Sequence, residues 1–190
     1  GSGGVPDALS DVSWKLGTEV PIEHLWIYRS DAENLLATSL YKQQQIDLAV
    51  CWYQRSILSR SRVNIPVSPA SLSNLGGILV AEVATKLKLF QRYTSILNHE
   101  DKETAMTFAS MIDVLNISKL YSEQAIKNCR TRVMDHIKVA SLVNILDIYS
   151  ALAECEKFVQ ALDCAELKVL VPSSKKRQQA IDRSRKKMSK

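Results

Sequence analysis

A chain of 190 residues with 46% hydrophobic and 24% charged residues has the composition of one globular domain, with or without a tail. Six glycines and five prolines are too few turn residues for a β-sandwich. The net charge of +5 sits at one end. From Ser173 to Lys190 eight basic residues face only Asp182, a local +7, which leaves the rest of the chain at −2. The high isoelectric point therefore describes the tail rather than the body.

In chain order, Gly1-Ser2-Gly3-Gly4 reads as a cloning scar or fusion linker, and no signal-peptide pattern follows it. Val5 to Glu19 is weakly patterned and expected to be an extended lead-in, with Trp14 and Leu16 able to pack back. Pro21 suits the start of a short helix over Ile22–Tyr28. Ser30-Asp31-Ala32-Glu33 has capping-box spacing, so a second helix is expected from Ser30 to about Gln45. Helical spacing resumes from Asp47 to Arg60, which makes Ser30–Arg60 a helical hairpin.

Pro66 and Pro69 exclude a regular helix between Ser61 and Ser68, and Ser68-Pro69 supplies the next start signal. Leu72, Leu75, Leu79, Val83, Leu87, Phe90 and Leu97 mark one face of a long helix. Gly76-Gly77 inside it predicts a bend or a close helix crossing. After a polar break at Asn98–Lys102, a helix is expected over Glu103–Leu115, with Ser118 capping the next one. Lys119 to Leu170 holds neither proline nor glycine, so it is one very long helix or two with a joint near Met134–Lys138. Its stripe from Leu142 to Leu162 is expected to be core or a self-association seam.

These elements give an all-α fold, an irregular bundle of about six to seven helices. Residues 1–20 stand outside it, 21–170 form a single domain, and 171–190 form a flexible basic tail. The most apolar run, Ile78 to Ala84, is far short of the roughly 20 residues of a membrane span, so no membrane association is expected.

The stretch Leu40-Tyr41-Lys42-Gln43 … Asp47-Leu48-Ala49 … Tyr53-Gln54, with Leu36 and the small Ala37 before it, resembles one tetratricopeptide repeat. The likeness covers about thirty residues of one hairpin, and no second copy is found. It departs at the turn, where Gln44 stands for the usual glycine, and at the end, where Ser61 replaces the usual proline. The resemblance implies a helix-lined groove that receives peptide segments of other proteins.

No catalytic signature is present. His24, His99 and His136 are scattered and without a motif, and no phosphate-binding glycine loop, nucleophile elbow or metal-ligand spacing occurs. Cys51, Cys129, Cys155 and Cys164 all lie in apolar helical stretches and read as buried, reduced thiols. No enzyme activity, cofactor or metal is expected. The candidate partner-binding residues are the clustered aromatics Trp26, Tyr28, Trp52 and Tyr53, which either form core or line a groove. Lys175, Lys176, Arg177, Arg183, Arg185, Lys186 and Lys187 resemble a nuclear localisation signal, can hold nucleic-acid phosphates, or simply solubilise the end. Arg55, Arg60, Arg62, Lys86, Lys88 and Arg92 read as a solvated face, and Ser59, Ser61 and Ser68 as phosphorylation sites beside it. The expected function is a nuclear protein–protein interaction or scaffold domain that binds a partner helix or peptide, or itself. The alternatives are a helical nucleic-acid-binding protein and a cytoplasmic location.

Overall fold

Helical periodicity from Pro21 onward is realised as six α-helices in the computed structural model, which describes residues 20–93, 102–161, 171 and 173–189. No strand occurs among these residues, so the all-α bundle is as expected. The lead-in before residue 20, the break at 98–101, Leu97 and Cys164 lie outside the described residues. The chain divides into two compact units, Gly1–Ser68 and Pro69–Lys190, where the sequence reading has a single domain. The division falls in the proline loop, the longest non-helical stretch among the described residues between the helices.

In the first unit, α1 (Ile22–Lys42) and α2 (Ile46–Ser61) form the expected hairpin. Two helices were expected before Gln45, yet α1 runs through Ser30 without a break. Ser30 is no cap: it is fully buried, its Oγ donates to the Ser56 carbonyl at 2.9 Å, and Ser56 Oγ returns a bond to the Ser30 carbonyl at 2.8 Å. Gln44, in the turn, takes a left-handed φ of 61°, which explains why a glycine is usual in turns of this kind.

The second unit begins with α3 (Pro69–Tyr93), followed by α4 (Lys102–Asn128), a 3-10 turn (Arg132–Met134) and α5 (Asp135–Ala161). These three helices pack pairwise, and α6 (Ser174–Met188) packs on α5. The expected boundary near Leu115–Ser118 is absent, because Ser118 is buried mid-helix and spends its hydroxyl on the Gly76 carbonyl at 2.7 Å. The joint in the proline-free stretch comes slightly earlier than expected, at 129–134.

Gly76-Gly77 makes the close crossing. A methyl group on Gly76 would stand 2.8 Å from Ser122 Oγ and 3.2 Å from the Ser118 carbonyl, and one on Gly77 3.1 Å from Asn144 Oδ1. Asn144 Nδ2 in turn donates to the Ser73 carbonyl at 2.8 Å. Below this crossing the core is apolar: Val83, Leu87, Phe108, Ile112, Leu115, Ile148, Leu152 and Val159, with Phe108 5.0 Å from both Phe90 and Phe158. The α5 stripe is core, since Leu142, Leu152, Cys155 and Val159 are at most 1% exposed. A stretch of 18 residues within Arg132–Gln160 reaches a mean hydropathy of 1.2, and among the described residues this is the one helical segment long and apolar enough to cross a membrane, an apolarity the sequence reading overlooked. Here it packs against α3, α4 and α6.

The basic end is not the flexible tail expected. It forms α6, with Arg177 and Ser184 buried and Ala180 and Ile181 packed on the core cluster. Positions 177, 180, 181, 184 and 188 share one face at helical spacing, which lets a highly charged segment bury a stripe.

Candidate functional site

Two surfaces emerge, one in each unit. The hairpin has its polarity reversed. Its seam holds Ser30, Glu33, Ala37, Ala49, Tyr53, Ser56 and Ser59, while Tyr28, Leu35, Leu48 and Leu58 are 51–69% exposed. The buried Glu33 is satisfied: Ser59 Oγ donates to its Oε2 at 2.6 Å and Arg29 Nε to its Oε1 at 3.1 Å, while Arg60 pairs with exposed Asp31 at 2.8 Å outside the seam. Leu25, Tyr28, Ala32 and Leu35 follow the three-four spacing of a helix–helix seam along the face of α1 turned away from α2.

The four predicted aromatics do not form one surface. Tyr53 is 1% exposed within the seam, its hydroxyl 2.9 Å from Thr38 Oγ1. Trp26 is half-buried with the guanidinium groups of Arg29 and Arg62 over its ring at 4.9 and 5.2 Å, and Trp52 is half-buried under Arg55 at 4.4 Å. Only Tyr28 projects into solvent. Cation–π contact and ion pairs thus occupy the loop arginines 55, 60 and 62. Of the serines beside them, Ser59 and Ser68 are buried, and Ser61 is exposed.

In the second unit α4 and α6 both flank α5 without packing on each other, and a trough of about 600 Å³ opens between them. Its floor is Leu142, Ile145 and Tyr149 of α5. Lys119 and Lys127 stand on one wall, and Lys176, Arg183 and Lys187 on the other. Lys119 Nζ lies 5.8 Å from the Tyr149 ring and 3.7 Å from Glu123, the one carboxylate of the lining. Sequence reasoning named the α6 cations but missed Lys119 and Lys127, which lie about fifty to seventy positions away in the chain. Of the remaining predicted basic residues, Lys175 and Lys186 are exposed outside the trough, and Arg185 lines a groove on the far side of α6. Arg177 is no free cation: it is 6% exposed and ion-paired with Glu156.

The cysteines divide. Cys155 is fully buried and its thiol is pushed up to about 12 by desolvation, whereas Cys51 is exposed, contrary to expectation. Desolvation also raises the half-buried Cys129 thiol and the Asp147 carboxyl. Among the described residues no group of three or more His, Cys, Asp or Glu side chains converges. Comparison with known families, curated proteins and solved structures finds no match to this chain.

Proposed function

We propose that this chain is a non-catalytic helical interaction module, a scaffold element that docks a partner helix on the outer face of α1. One observation carries the reading. The hairpin buries serines and a glutamate and turns Tyr28 and Leu35 outward. Exposed large apolar side chains in register on one helix face mark a surface that another protein covers. The partner is a second protein or a second copy of this chain. The alanines Ala37 and Ala49 in the seam are in keeping with the tetratricopeptide-like reading, which forms part of this proposal. The two basic clusters of α6 support a nuclear setting.

The test is the double variant Tyr28→Asp/Leu35→Asp. Both positions are exposed, so helicity and melting temperature are expected to stay within experimental error. Sedimentation and cross-linking are expected to show loss of the associations made by the wild-type chain. A variant that keeps every association would overturn the reading.

A further inference from the structure

Four arginines are already engaged with carboxylates: Arg29 and Arg55 with Glu33, Arg60 with Asp31, Arg177 with Glu156. The trough differs. Lys127, Lys176, Arg183 and Lys187 have no carboxylate within ion-pair distance among the described residues, and Lys119 shares Glu123. Five cations against one carboxylate around an open trough leave a strong uncompensated field. On the α6 wall, Lys176 to Lys187 spans about 16 Å at a helical rise of about 1.5 Å per residue. This is an elongated array rather than a pocket for one small anion.

We propose that this trough binds a chain of phosphates, as carried by a single nucleic-acid strand or by inorganic polyphosphate. An acidic peptide fits less well. Peptides held between helices anchor through apolar side chains, and the floor offers few places for them, with Leu142 1% and Tyr149 6% exposed. Four of the five cations are lysines, point charges that match phosphate oxygens without demanding the planar geometry of a carboxylate. Tyr149, buried beneath Lys119, is not available to stack on a base, so recognition is blind to sequence.

The experiment is fluorescence anisotropy of the full chain with a labelled oligouridylate. Binding is expected to weaken about 100-fold between roughly 50 and 200 mM salt if about five phosphates are contacted. The variant Lys127→Glu/Arg183→Glu/Lys187→Glu is expected to lose about 100-fold in affinity and to flatten the salt slope by about 2. The control Lys175→Glu/Arg185→Glu/Lys186→Glu removes the same charge from α6 outside the trough and is expected to lose no more than several-fold. Equal losses in both would assign binding to net charge and overturn the proposal. If reversal unfolds α6, seen by circular dichroism, the neutral set Lys127→Gln/Arg183→Gln/Lys187→Gln gives the same reading. Inorganic polyphosphate that binds the wild type where the oligonucleotide does not would assign the source while upholding the site. Polyglutamate competing as tightly as either would overturn it.

Discussion

Both units bury hydroxyls, but only the second also buries a large apolar cluster. The hairpin seam is built from hydroxyls, a carboxylate and small residues, with Tyr53 the one large ring in it. The α3–α4–α5 bundle buries serines too, Ser118 and Ser122 at its glycine crossing among them, but below the crossing it is filled by aliphatic chains and three phenylalanines in contact. Burying a satisfied hydrogen bond contributes about 1 kcal/mol net, whereas a buried leucine contributes about twice that or more. The bundle therefore draws its stability from area, and the hairpin from geometry. Apolar residues that the seam does not use, Tyr28, Leu35, Leu48 and Leu58, are left outside.

That contrast can be broken most forcefully at Leu152, which is fully buried. Leu152→Ala is expected to destabilise the second unit by about 2–5 kcal/mol, read from denaturant midpoints. An effect below 1 kcal/mol would mean that the bundle is not held by its core. Next comes the glycine crossing. Gly76→Ala pushes a methyl into Ser122 Oγ and a backbone carbonyl and is expected to cost about 1–3 kcal/mol. Ser122 Oγ is buried with no hydrogen-bond partner among the described residues, so adding Ser122→Ala should recover part of the loss, as a double-mutant cycle would show.

In the hairpin, Ser56→Ala removes a hydroxyl engaged with both Ser30 atoms, at an expected cost of about 1 kcal/mol. A cost as large as that of Leu152→Ala would erase the distinction between the units. Gln44→Gly relieves a left-handed φ and is expected to stabilise the hairpin by about 0.5 kcal/mol after glycine's own entropy cost. A further test is titration. The Cys155 thiol lies near 12 in the fold against an ordinary 9.0. Its value is raised, so its contribution is complete below about pH 9 and is lost as pH climbs from 9 toward 12. At pH 8 a thiol reagent should label Cys51 at once and Cys155 only on unfolding.

Helix positions were legible because proline, glycine and apolar spacing act locally: Pro69 opens α3 and the doublet Gly76-Gly77 marks the crossing. The serines were not legible in the same way. A serine that caps a helix and a serine that bonds a neighbouring helix look identical in sequence, so Ser30 and Ser118 were read as boundaries. The charge density of α6 concealed its buried stripe. Whether such a segment docks depends on a carboxylate waiting elsewhere, here Glu156 on α5. Half of the candidate site was readable, the α6 cations. The other half, Lys119 and Lys127, becomes part of it only when α4 and α6 are laid on either side of α5.

The uneven placement of tryptophan has an optical consequence. All three tryptophans precede Ser68, and the second unit has none. Indole emission therefore reports on the hairpin side of the chain alone, with Trp26 beneath the guanidinium of Arg62, which reaches it from the end of α2, and Trp52 beneath Arg55 of its own helix. Far-ultraviolet ellipticity, by contrast, sums over every helix. A single melt followed by both signals would show, without any label, whether the units unfold together. Superimposed curves would mean one cooperative block, and separated curves two.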